Sequence, residues 1–408
     1  MTLYGEQTGG RAGAAAGPRG LVVLGATGSI GDTTFGVLEG LGDGFRVVGL
    51  SGHRRLDKLI DLARRWRPDI VAVAGEEAAA QARASLPDTE VVTGAPGLVR
   101  LATCEAADTV VNGLVGAVGL EPTVAAVEAG KTVAMANKEP LVMAGGLILD
   151  RARACGARIL PLDSEPNALW QCLRGESPES VKRLVLTASG GAFRGWPPDR
   201  MAAVKAEQAL QHPTWKMGAK ITIDCATLMN KGFEVIEAAW LFGLPVDRVD
   251  VVVHRESVIH SMVEFVDGSY LAHLGRTHMH LPIQYALTQP GRRAAALEPL
   301  DLVQLGALHF EAPDEDGFPC LPLCYEAGRA GGLVPTVLNA ANEVAVEAFL
   351  AGHIGFLDIY EVNRRTTDEV AADEAVARGE PHSVAAVLVA DRAARQAAAR
   401  LVREAGRA

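Results

Sequence analysis

The stretch LVVLGATGSIG, residues 21–31, decides the fold of the first part of the chain. Its four leading apolar residues are typical of a buried parallel strand, and the glycine-spaced turn that follows opens a helical pattern over 32–41. A second apolar run at 45–50 completes a β-α-β unit. A turn of this kind directs backbone N–H groups and a helix N-terminus at a pyrophosphate, so the stretch predicts a dinucleotide-binding site.

Strand-like and helix-like patterns keep alternating up to residue 162. The further strand-like runs lie at 70–74, 91–92, 109–113, 132–135 and 159–162. This alternation predicts an α/β fold with a Rossmann-type doubly wound parallel sheet over 19–162. Residues 1–18 are rich in Gly and Ala and carry no apolar core of a signal peptide, so we expect a disordered tail there.

The regular alternation of strand-like and helix-like patterns ends after residue 162. Strand-like runs at 181–187, 249–254 and 270–274 mix with loops and a helix near 226–243, which predicts a central α+β domain over 163–290. Residues 291–315 are expected to be a connector. Amphipathic, Ala-rich segments such as 338–350 and 383–403 then predict a C-terminal helical domain over 316–408.

Composition restricts the classes of function. The 408 residues carry a formal net charge of −10, which argues against a broad nucleic-acid surface but leaves room for a local positive pocket. The six cysteines are scattered without a CxxC pair, and no apolar stretch approaches the ~18 residues of a membrane span. We therefore expect a cytoplasmic protein with reduced thiols and neither a nucleic-acid nor a membrane partner.

The end of the second strand indicates which dinucleotide is bound. Sites that prefer NAD place an acidic residue here for the ribose 2′-hydroxyl, but this chain reads Ser51-Gly52-His53-Arg54-Arg55. Two guanidinium groups suit a 2′-phosphate, so NADP is favoured over NAD. Two observations leave this interpretation open: Arg54 and Arg55 also fit the start of a solvated helix, and Asp57 is close by.

Three carboxylates suggest a metal site. Asp163 and Glu165 follow a predicted strand directly, where ligand sites gather in α/β folds. Asn230 and Glu234 lie four residues apart and therefore on one face of a predicted helix. A set of carboxylates without His or Cys suits a hard ion, Mg²⁺ or Mn²⁺, rather than zinc.

Groups suited to an anionic substrate accompany these carboxylates. Lys138 and Lys231 add positive charge, and Ser189-Gly190-Gly191 offers hydroxyl and amide donors to a phosphorylated polyol. Residues 210–219, which include His212 and Trp215, have the composition of a lid that covers a substrate and excludes water. The alternative for this segment is a surface loop anchored by one buried Trp.

Taken together, these segments resemble the 1-deoxy-D-xylulose 5-phosphate reductoisomerase family, NADPH enzymes of the non-mevalonate isoprenoid pathway. The matching stretches keep the family's order from about residue 20 to the C-terminus: GATGSIG (25–31), ANKE (136–139), LPLDSE (160–165), TASGGAFR (187–194), HPTWKMG (212–218), MNKGFE (229–234), SVIHSM (257–262) and LNAANE (338–343).

The resemblance implies a reaction and a set of site residues. A divalent metal on Asp163, Glu165 and Glu234 would polarise the ketone of the substrate, the carbon skeleton would rearrange, and NADPH would reduce the resulting aldehyde to 2-C-methyl-D-erythritol 4-phosphate. The catalytic set would be Lys138, Glu165, Lys231 and Glu234. Ser164 and Asn230 would join the lysines in holding substrate hydroxyls, with the phosphate on Ser189, His212, Cys225 and Asn230.

The resemblance also implies how the cofactor is held and how the chain assembles. The cofactor contacts would come from Thr27, Gly28, Ser29, Ile30, Gly52, Arg54, Arg55, Asn137, Glu139, Gly218 and Met279. Family members are commonly homodimers, so we expect a homodimer here.

Several positions depart from the family's usual residues. Cys225 replaces a Ser, Pro166 replaces a His, Arg255-Glu256 replaces Pro-Gln, and the segment 277–280 reads THMH instead of PDMR. These changes are interpreted as clustered around the active site. They keep open a divergent relative acting on a different phosphorylated or phosphonate substrate. Two more distant alternatives are a semialdehyde dehydrogenase with Cys225 as the nucleophile and a non-catalytic NADP sensor.

Overall fold

The computed structural model describes residues 17–373, 376, 379 and 381–406. Most of the predicted N-terminal tail, residues 1–16, lies outside the described residues. The α/β class predicted from the sequence is confirmed, with one parallel sheet, a second smaller sheet and a helical C-terminal part. Within the described residues, none of the helices combines the length and the apolar character that a bilayer crossing requires.

The N-terminal part is a parallel sheet of seven strands. The strands are β1 (Arg19–Leu24), β2 (Phe45–Ser51), β3 (Ile70–Val73), β4 (Glu90–Thr93), β5 (Thr109–Asn112), β6 (Thr132–Met135) and β7 (Arg158–Pro161). The helices between them are α1 (Ser29–Leu41), α2 (Leu56–Trp66), α3 (Glu76–Ser85), α4 (Gly94–Ala102), α5 (Leu120–Glu128) and α6 (Glu139–Cys155). The predicted alternation of strands and helices is therefore confirmed.

The strand order places a ligand site at the end of β1. The order is β4-β3-β2-β1-β5-β6-β7, so the sheet changes direction between β1 and β5. Residues 21–24 of β1 are completely buried, as expected for a central parallel strand covered by helices on both faces. In open α/β sheets ligands bind at this switch point, at the carboxyl ends of the strands. The glycine turn lies at this edge.

Two glycines of the turn are required by close backbone contacts. Gly25 has a φ of +76°, and a Cβ atom there would lie 2.5 Å from the carbonyl oxygen of Gly113. A Cβ on Gly31 would lie 2.1 Å from the carbonyl oxygen of Ala26. Neither distance is possible for a real side chain, so both positions need glycine for the turn to pack against β5 and α1.

The second sheet has four strands in the order β11-β10-β8-β9. They are β8 (Val181–Ala188), β9 (Val249–Val253), β10 (Ile259–Phe265) and β11 (Tyr270–Leu274). Strand β10 pairs antiparallel with both β8 and β11, and β8 pairs parallel with β9. The sequence analysis predicted β8, β9 and β11 but missed β10.

Helices surround the second sheet and form the C-terminal part. They are α7 (Ser164–Cys172), α8 (Pro198–Ala202), α9 (Ala206–Ala209), α10 (Ala219–Ala226), α11 (Met229–Phe242), α12 (His280–Thr288), α13 (Leu302–Leu305), α14 (Cys320–Ala330), α15 (Val334–Leu350), α16 (Asp358–Ala371) and α17 (Val384–Ala405). Short 3₁₀ turns occupy Gly42–Gly44, Gly116–Gly119, Pro178–Ser180 and Val246–Arg248. Helix α15 packs against α16 and α17 and also reaches α6 and α10, so the C-terminal helices support the edge where the candidate site lies.

Candidate active site

A cavity of about 620 Å³ joins the glycine turn to the second sheet. Most of the residues predicted for a site line it: Gly28, Ser29, Ile30, Arg55, Lys138, Glu139, Asp163, Ser164, Glu165, Ser189, His212, Trp215, Gly218, Cys225, Asn230, Lys231, Glu234 and Met279. Thr27, Gly52, Arg54 and Asn137 are not among the residues lining it. Segments far apart in the chain thus converge on one space.

The three predicted metal ligands come together at the base of the cavity. Asp163 ends the loop after β7 and caps α7, where its carboxylate accepts the N–H of Ser164 at 3.0 Å. Glu165 lies in the first turn of α7, and Glu234 is buried in the middle of α11. One oxygen from each of the three carboxylates lies within 4.8 Å of the other two. Among the described residues, this is the one group of acidic, His or Cys side chains close enough to share an ion.

Two lysines hold the carboxylates together. Lys138 Nζ lies 2.5 Å from Asp163 Oδ2 and 3.0 Å from Glu234 Oε1. Lys231 Nζ lies 2.8 Å from Glu165 Oε1 and also pairs with the second oxygen of Glu234. Asn230 bridges the two halves of this carboxylate cluster, since it accepts from Lys138 at 2.7 Å and donates to Glu234 at 2.5 Å. Both ammonium side chains are only 5% exposed.

The charges of this carboxylate cluster shift the pKa values of its members. Burial alone would lower the pKa of Lys138, but Asp163 and Glu234 outweigh burial and hold that pKa well above its usual value. Burial alone would raise the pKa of Glu234, yet Lys138 and Lys231 outweigh burial and lower it. Burial raises the pKa of Asp163 to about 6; Lys138 opposes this shift and Glu234 reinforces it. Both lysines are therefore cationic and Glu234 is ionised at neutral pH.

The opposite end of the cavity presents neutral donors. Ser189 follows β8, and its hydroxyl lies 3.0 Å from Nε2 of His212. Nδ1 of His212 accepts the backbone N–H groups of Thr214 and Trp215, which places the ring proton on Nε2, so that Nε2 donates to Ser189. Burial lowers the pKa of His212 to about 4. The imidazole is thus neutral at physiological pH and acts as a hydrogen-bond donor towards the cavity.

The predicted lid lies across this end. Trp215 lines the cavity and faces His260, with 6.3 Å between the ring centroids. The hydroxyl of Thr214 lies 3.4 Å from that of Ser257. Ser257, which the sequence analysis did not select, has a positive φ of 51° and lines the cavity. A left-handed Ser is unusual, and this strain is typical of residues held in place at ligand sites.

Cys225 lines the cavity but is unsuited to nucleophilic attack. Burial and the neighbouring carboxylate of Glu234 raise the pKa of its thiol far above the usual value. The thiolate, which is the reactive form, is therefore disfavoured at neutral pH. This argues against the semialdehyde dehydrogenase alternative, in which Cys225 would form a thioester.

The departures from the family pattern lie mostly outside the cavity. Cys225 lines it, whereas Pro166, Arg255, Glu256, His278 and His280 do not. Arg255 pairs with Glu311 and Glu256 with His309, both away from the carboxylate cluster. Pro166 is buried in the first turn of α7, where a missing N–H costs no helical hydrogen bond. The departing residues adjoin lining residues, since Pro166 follows Glu165 and His278 and His280 flank Met279, but of those named only Cys225 itself lines the cavity.

The cofactor side is arranged around the glycine turn. Gly28 caps α1, so Ser29 and Ile30 present the free N–H groups of the first helical turn to the cavity. Arg55 donates to the carbonyl oxygen of Thr27, which brings its guanidinium group to the turn. Arg54 is exposed beside it. Lys58 was not predicted; its ammonium lies 3.3 Å from the carbonyl oxygen of Thr27 and pairs with Asp32 at 2.5 Å.

Two partly buried residues of this region were also missed: Lys220, which lines the cavity, and Glu343. Lys220 lies between Glu139 and Asp224, at 2.7 and 2.8 Å. Glu343 accepts the backbone N–H of Ala117 at 2.8 Å and Arg395 at 2.6 Å, which attaches the loop after β5 to the C-terminal helices. The sequence signal for Lys220 was its position four residues before Asp224, the spacing of a helical ion pair. Glu343 has one local partner, Asn339 at 2.9 Å, but its contacts with Ala117 and Arg395 join segments that are distant in sequence.

Buried histidines make stability depend on pH. Burial lowers the pKa of both His260 and His273 to about 4, against about 6.5 in an unfolded chain. The unfolded chain binds more protons between these values, so the stabilisation is complete above pH ~6.5 and is lost as the pH falls towards 4. From pH 7 to 5 we expect a loss of about 2 kcal/mol of unfolding free energy for each of the two rings.

Urea unfolding at the two pH values measures this loss. The double substitution His260→Asn/His273→Asn should remove most of the difference. An unchanged difference in the double variant would contradict this assignment.

Comparison with known proteins identifies the family. Models of the 1-deoxy-D-xylulose 5-phosphate reductoisomerase family and of its C-terminal domains match residues 21–145, 159–242 and 274–397. A 1-deoxy-D-xylulose 5-phosphate reductoisomerase from Synechococcus sp. is 47% identical over 391 residues, covering 94% of this chain and 98% of the relative. The same enzyme from Symbiobacterium thermophilum is 49% identical over 386 residues, covering 93% and 98%.

Solved structures give the same result. A DOX-P reductoisomerase in complex with NADPH, fosmidomycin and magnesium is 42% identical with a TM-score of 0.90, covering 94% of this chain and 98% of the other. The 1-deoxy-D-xylulose 5-phosphate reductoisomerase of Zymomonas mobilis in complex with NADPH is 43% identical with a TM-score of 0.86, covering 94% and 99%. This chain therefore belongs to the 1-deoxy-D-xylulose 5-phosphate reductoisomerase family.

Proposed function

We propose that this chain converts 1-deoxy-D-xylulose 5-phosphate to 2-C-methyl-D-erythritol 4-phosphate, by a skeletal rearrangement followed by reduction with NADPH, and requires Mg²⁺ or Mn²⁺. The observation that carries this proposal is the single cavity that joins a dinucleotide turn to a buried cluster of three carboxylates. Residues 19–162 would bind NADPH, residues 163–290 together with Lys138 would supply the catalytic groups, and residues 316–408 would support both. This reaction supplies precursors for isoprenoids.

The donor set fits a divalent metal. Asp163, Glu165 and Glu234 offer carboxylate oxygens, which Mg²⁺ and Mn²⁺ prefer. The three carboxylates exceed the two neighbouring ammonium groups by one negative charge, in a place where charge is poorly solvated. When bound, the metal supplies a Lewis acid that polarises the substrate's ketone and hydroxyl oxygens.

The chain's own side chains orient the substrate. Lys138, Lys231 and Asn230 present donors beside the carboxylates, where they hold the substrate's hydroxyl groups and balance charge that develops on its oxygens. The hydroxyl of Ser164 donates to Glu165 Oε2 at 2.5 Å, so this donor also lies beside the carboxylate cluster. The end of the cavity near the carboxylate cluster thus binds the substrate's hydroxyl groups, and the opposite end binds its phosphate.

Neutral donors hold the phosphate end. Ser189 and His212 converge on one point of the wall, and Gly191 adds a backbone N–H that lies 3.2 Å from the Ser189 hydroxyl. Cys225 stands where the family usually has Ser. Its thiol is a weaker hydrogen-bond donor than a hydroxyl and therefore weakens the binding of the phosphate. Trp215 closes over the substrate and excludes water from the rearrangement.

Gly28, Ser29 and Ile30 would hold the pyrophosphate of NADPH, and Glu139 and Met279 would flank its nicotinamide, which would supply the hydride. Arg54 and Arg55 lie after the end of β2, where the 2′-phosphate of the adenosine ribose is expected, whereas Lys58 is paired with Asp32 at 2.5 Å. Asp57 is exposed in the first turn of α2.

The double substitution Arg54→Ser/Arg55→Ser should reduce the preference for NADPH over NADH. Loss of charge-assisted hydrogen bonds to a phosphate is expected to raise the KM for NADPH by about 10- to 100-fold. The KM for NADH should stay the same, because NADH has no 2′-phosphate. Steady-state kinetics with both cofactors tests this, and an equal rise in both values would contradict the placement of the 2′-phosphate.

The function is tested with the purified chain, 1-deoxy-D-xylulose 5-phosphate, NADPH and either Mg²⁺ or a chelator. We expect oxidation of NADPH that needs both the substrate and the metal, with 2-C-methyl-D-erythritol 4-phosphate as the product. Absence of turnover above background would favour the divergent relative with another phosphorylated substrate. Binding of NADPH without any metal-dependent turnover would favour the sensor.

We further propose that the chain is a cytoplasmic homodimer, joined through the edge strand of the second sheet. The edge strand β11 exposes Tyr270, Leu271 and Leu274, which are 47%, 43% and 39% exposed. Adjacent exposed apolar side chains of this kind are typical of protein interfaces. Sedimentation at micromolar concentration tests this, and a monomer would contradict it.

A further inference from the structure

Lys220 is a buried cation that the proposed reaction does not use. It lies in the first turn of α10, directly after the lid, and its side chain is 15% exposed. Its ammonium lies 2.7 Å from Glu139 Oε1 and 2.8 Å from Asp224 Oδ2. The ring of Phe233 lies 5.6 Å from the same ammonium. These contacts on several sides restrict the side-chain conformation of Lys220.

The two carboxylates that hold Lys220 belong to different parts of the molecule. Glu139 begins α6 next to Lys138, and its second oxygen accepts from Asn137 at 2.5 Å. Asp224 lies on α10, and its second oxygen accepts from Asn342 of α15 at 2.8 Å. Lys220 therefore connects three parts of the molecule. It lies at the end of the lid, contacts Glu139 on the cofactor side of the cavity, and reaches the C-terminal helices through Asp224.

The charge of Lys220 acts on Glu139. Burial raises the pKa of Glu139, but Lys220, a backbone hydrogen bond and Lys138 together outweigh burial and lower it. Without Lys220, Glu139 would be a buried carboxylate whose Oε1 has lost its cationic partner, which favours either protonation or a different rotamer. Glu139 lines the cavity on the side assigned to the nicotinamide. The orientation of its carboxylate thus depends on a residue from the lid's end.

We propose that Lys220 is a positioning residue for NADPH: its ion pair fixes the Glu139 carboxylate at the wall of the cavity assigned to the nicotinamide half of the cofactor. This inference rests on the proposed binding of NADPH in the cavity. It assigns Lys220 no contact with the substrate or the metal, because Lys138 and Lys231 already contact the metal-ligand carboxylates. It also links the lid to the cofactor, since the helix that starts at the lid's end carries the lysine.

The test measures NADPH affinity directly, by the fluorescence of the bound cofactor, without turnover. In Lys220→Met we expect the Kd for NADPH to rise about tenfold, the factor that follows from losing one charge-assisted hydrogen bond. The affinity for Mn²⁺, measured by titration without cofactor, should be unchanged. Lys205→Met is the matched control, because Lys205 is exposed and lies outside the cavity. An unchanged Kd for NADPH in folded Lys220→Met would overturn the proposal.

A double-substitution cycle separates positioning from general stabilisation. If Lys220 acts through Glu139, the variant Glu139→Gln/Lys220→Met should bind NADPH as Glu139→Gln alone does. Additive losses would overturn the proposal, because they would mean that Lys220 acts independently of Glu139. Lys220→Arg, which keeps the charge, should recover part of the affinity. If Lys220→Met does not fold, the cycle is run with Lys220→Gln, which keeps a hydrogen-bond donor.

The wild-type measurement distinguishes this inference from the proposed function. If the unmodified chain does not bind NADPH, the proposed function fails, and the role of Lys220 fails with it. If the unmodified chain binds NADPH and the Lys220 variants bind it equally well, only the role of Lys220 is refuted.

Discussion

Glu234→Gln is expected to lower the turnover of 1-deoxy-D-xylulose 5-phosphate by about a hundredfold to a thousandfold, the size typical of losing one charged group from a catalytic site. Glu234 is 1% exposed and is the carboxylate that both Lys138 and Lys231 contact. The neutral Gln removes one negative charge from the proposed metal site. It also deprives the ammonium groups of Lys138 and Lys231 of a carboxylate that both of them contact. NADPH affinity should not change, since the glycine turn is untouched.

The same helix supplies a matched control. Glu237 lies one turn after Glu234 on α11, is completely buried, and neither of its carboxyl oxygens has a hydrogen-bond partner. Burial and the neighbouring Asp163 hold its pKa well above the usual value, which favours the neutral carboxyl group. Gln has nearly the same shape and is also neutral. Glu237→Gln should therefore keep both turnover and thermal stability.

Consumption of NADPH at saturating metal measures both variants. Cofactor fluorescence then checks that each variant still binds NADPH. Unchanged turnover in Glu234→Gln would refute its assignment as a metal ligand. An equal loss in Glu237→Gln would show that α11 tolerates no substitution here and that the effect is not specific to the metal site.

The sequence predicted those parts of the site that are encoded locally. The glycine turn at 25–31 needs its strand and helix directly before and after it, so one short segment contains the whole signal. Asp163 and Glu165 follow their strand at once, and Asn230 and Glu234 share a helix face through their spacing. These short-range relations follow from the periods of strands and helices. Family resemblance then added the roles that spacing alone left open.

Long-range pairing was beyond such patterns. Lys220 and Glu139 are 81 positions apart, and no period connects them. Strand β10 was missed because His260, Ser261 and Glu264 interrupt its apolar run, although all three are buried. Glu264 is paired with Lys182 from β8, so its charge is neutralised by tertiary contacts that the sequence does not reveal.

Lys231→Met is expected to change metal and substrate binding in opposite directions. Lys231 Nζ pairs with Glu165 and Glu234, and these carboxylates hold its pKa well above the usual value, so its positive charge is permanent. Removing this charge from between two metal-ligand carboxylates strengthens their attraction for a divalent ion. Mn²⁺ affinity should therefore rise severalfold, while kcat/KM for the substrate falls by about a hundredfold or more, because a fixed charge in the site is lost.

The opposite signs make this prediction informative. General damage to the fold would weaken both metal and substrate binding, whereas a purely structural lysine would change neither. Calorimetric titration with Mn²⁺ and steady-state kinetics at saturating metal give the two quantities separately. Lys231→Arg is the control, since it keeps the charge but alters its shape: Mn²⁺ affinity should stay near that of the wild type, and kcat/KM should fall less. Weaker Mn²⁺ binding in Lys231→Met would mean that the lysine supports the carboxylates rather than competing with the ion. It would remove the basis for assigning Lys231 to the substrate.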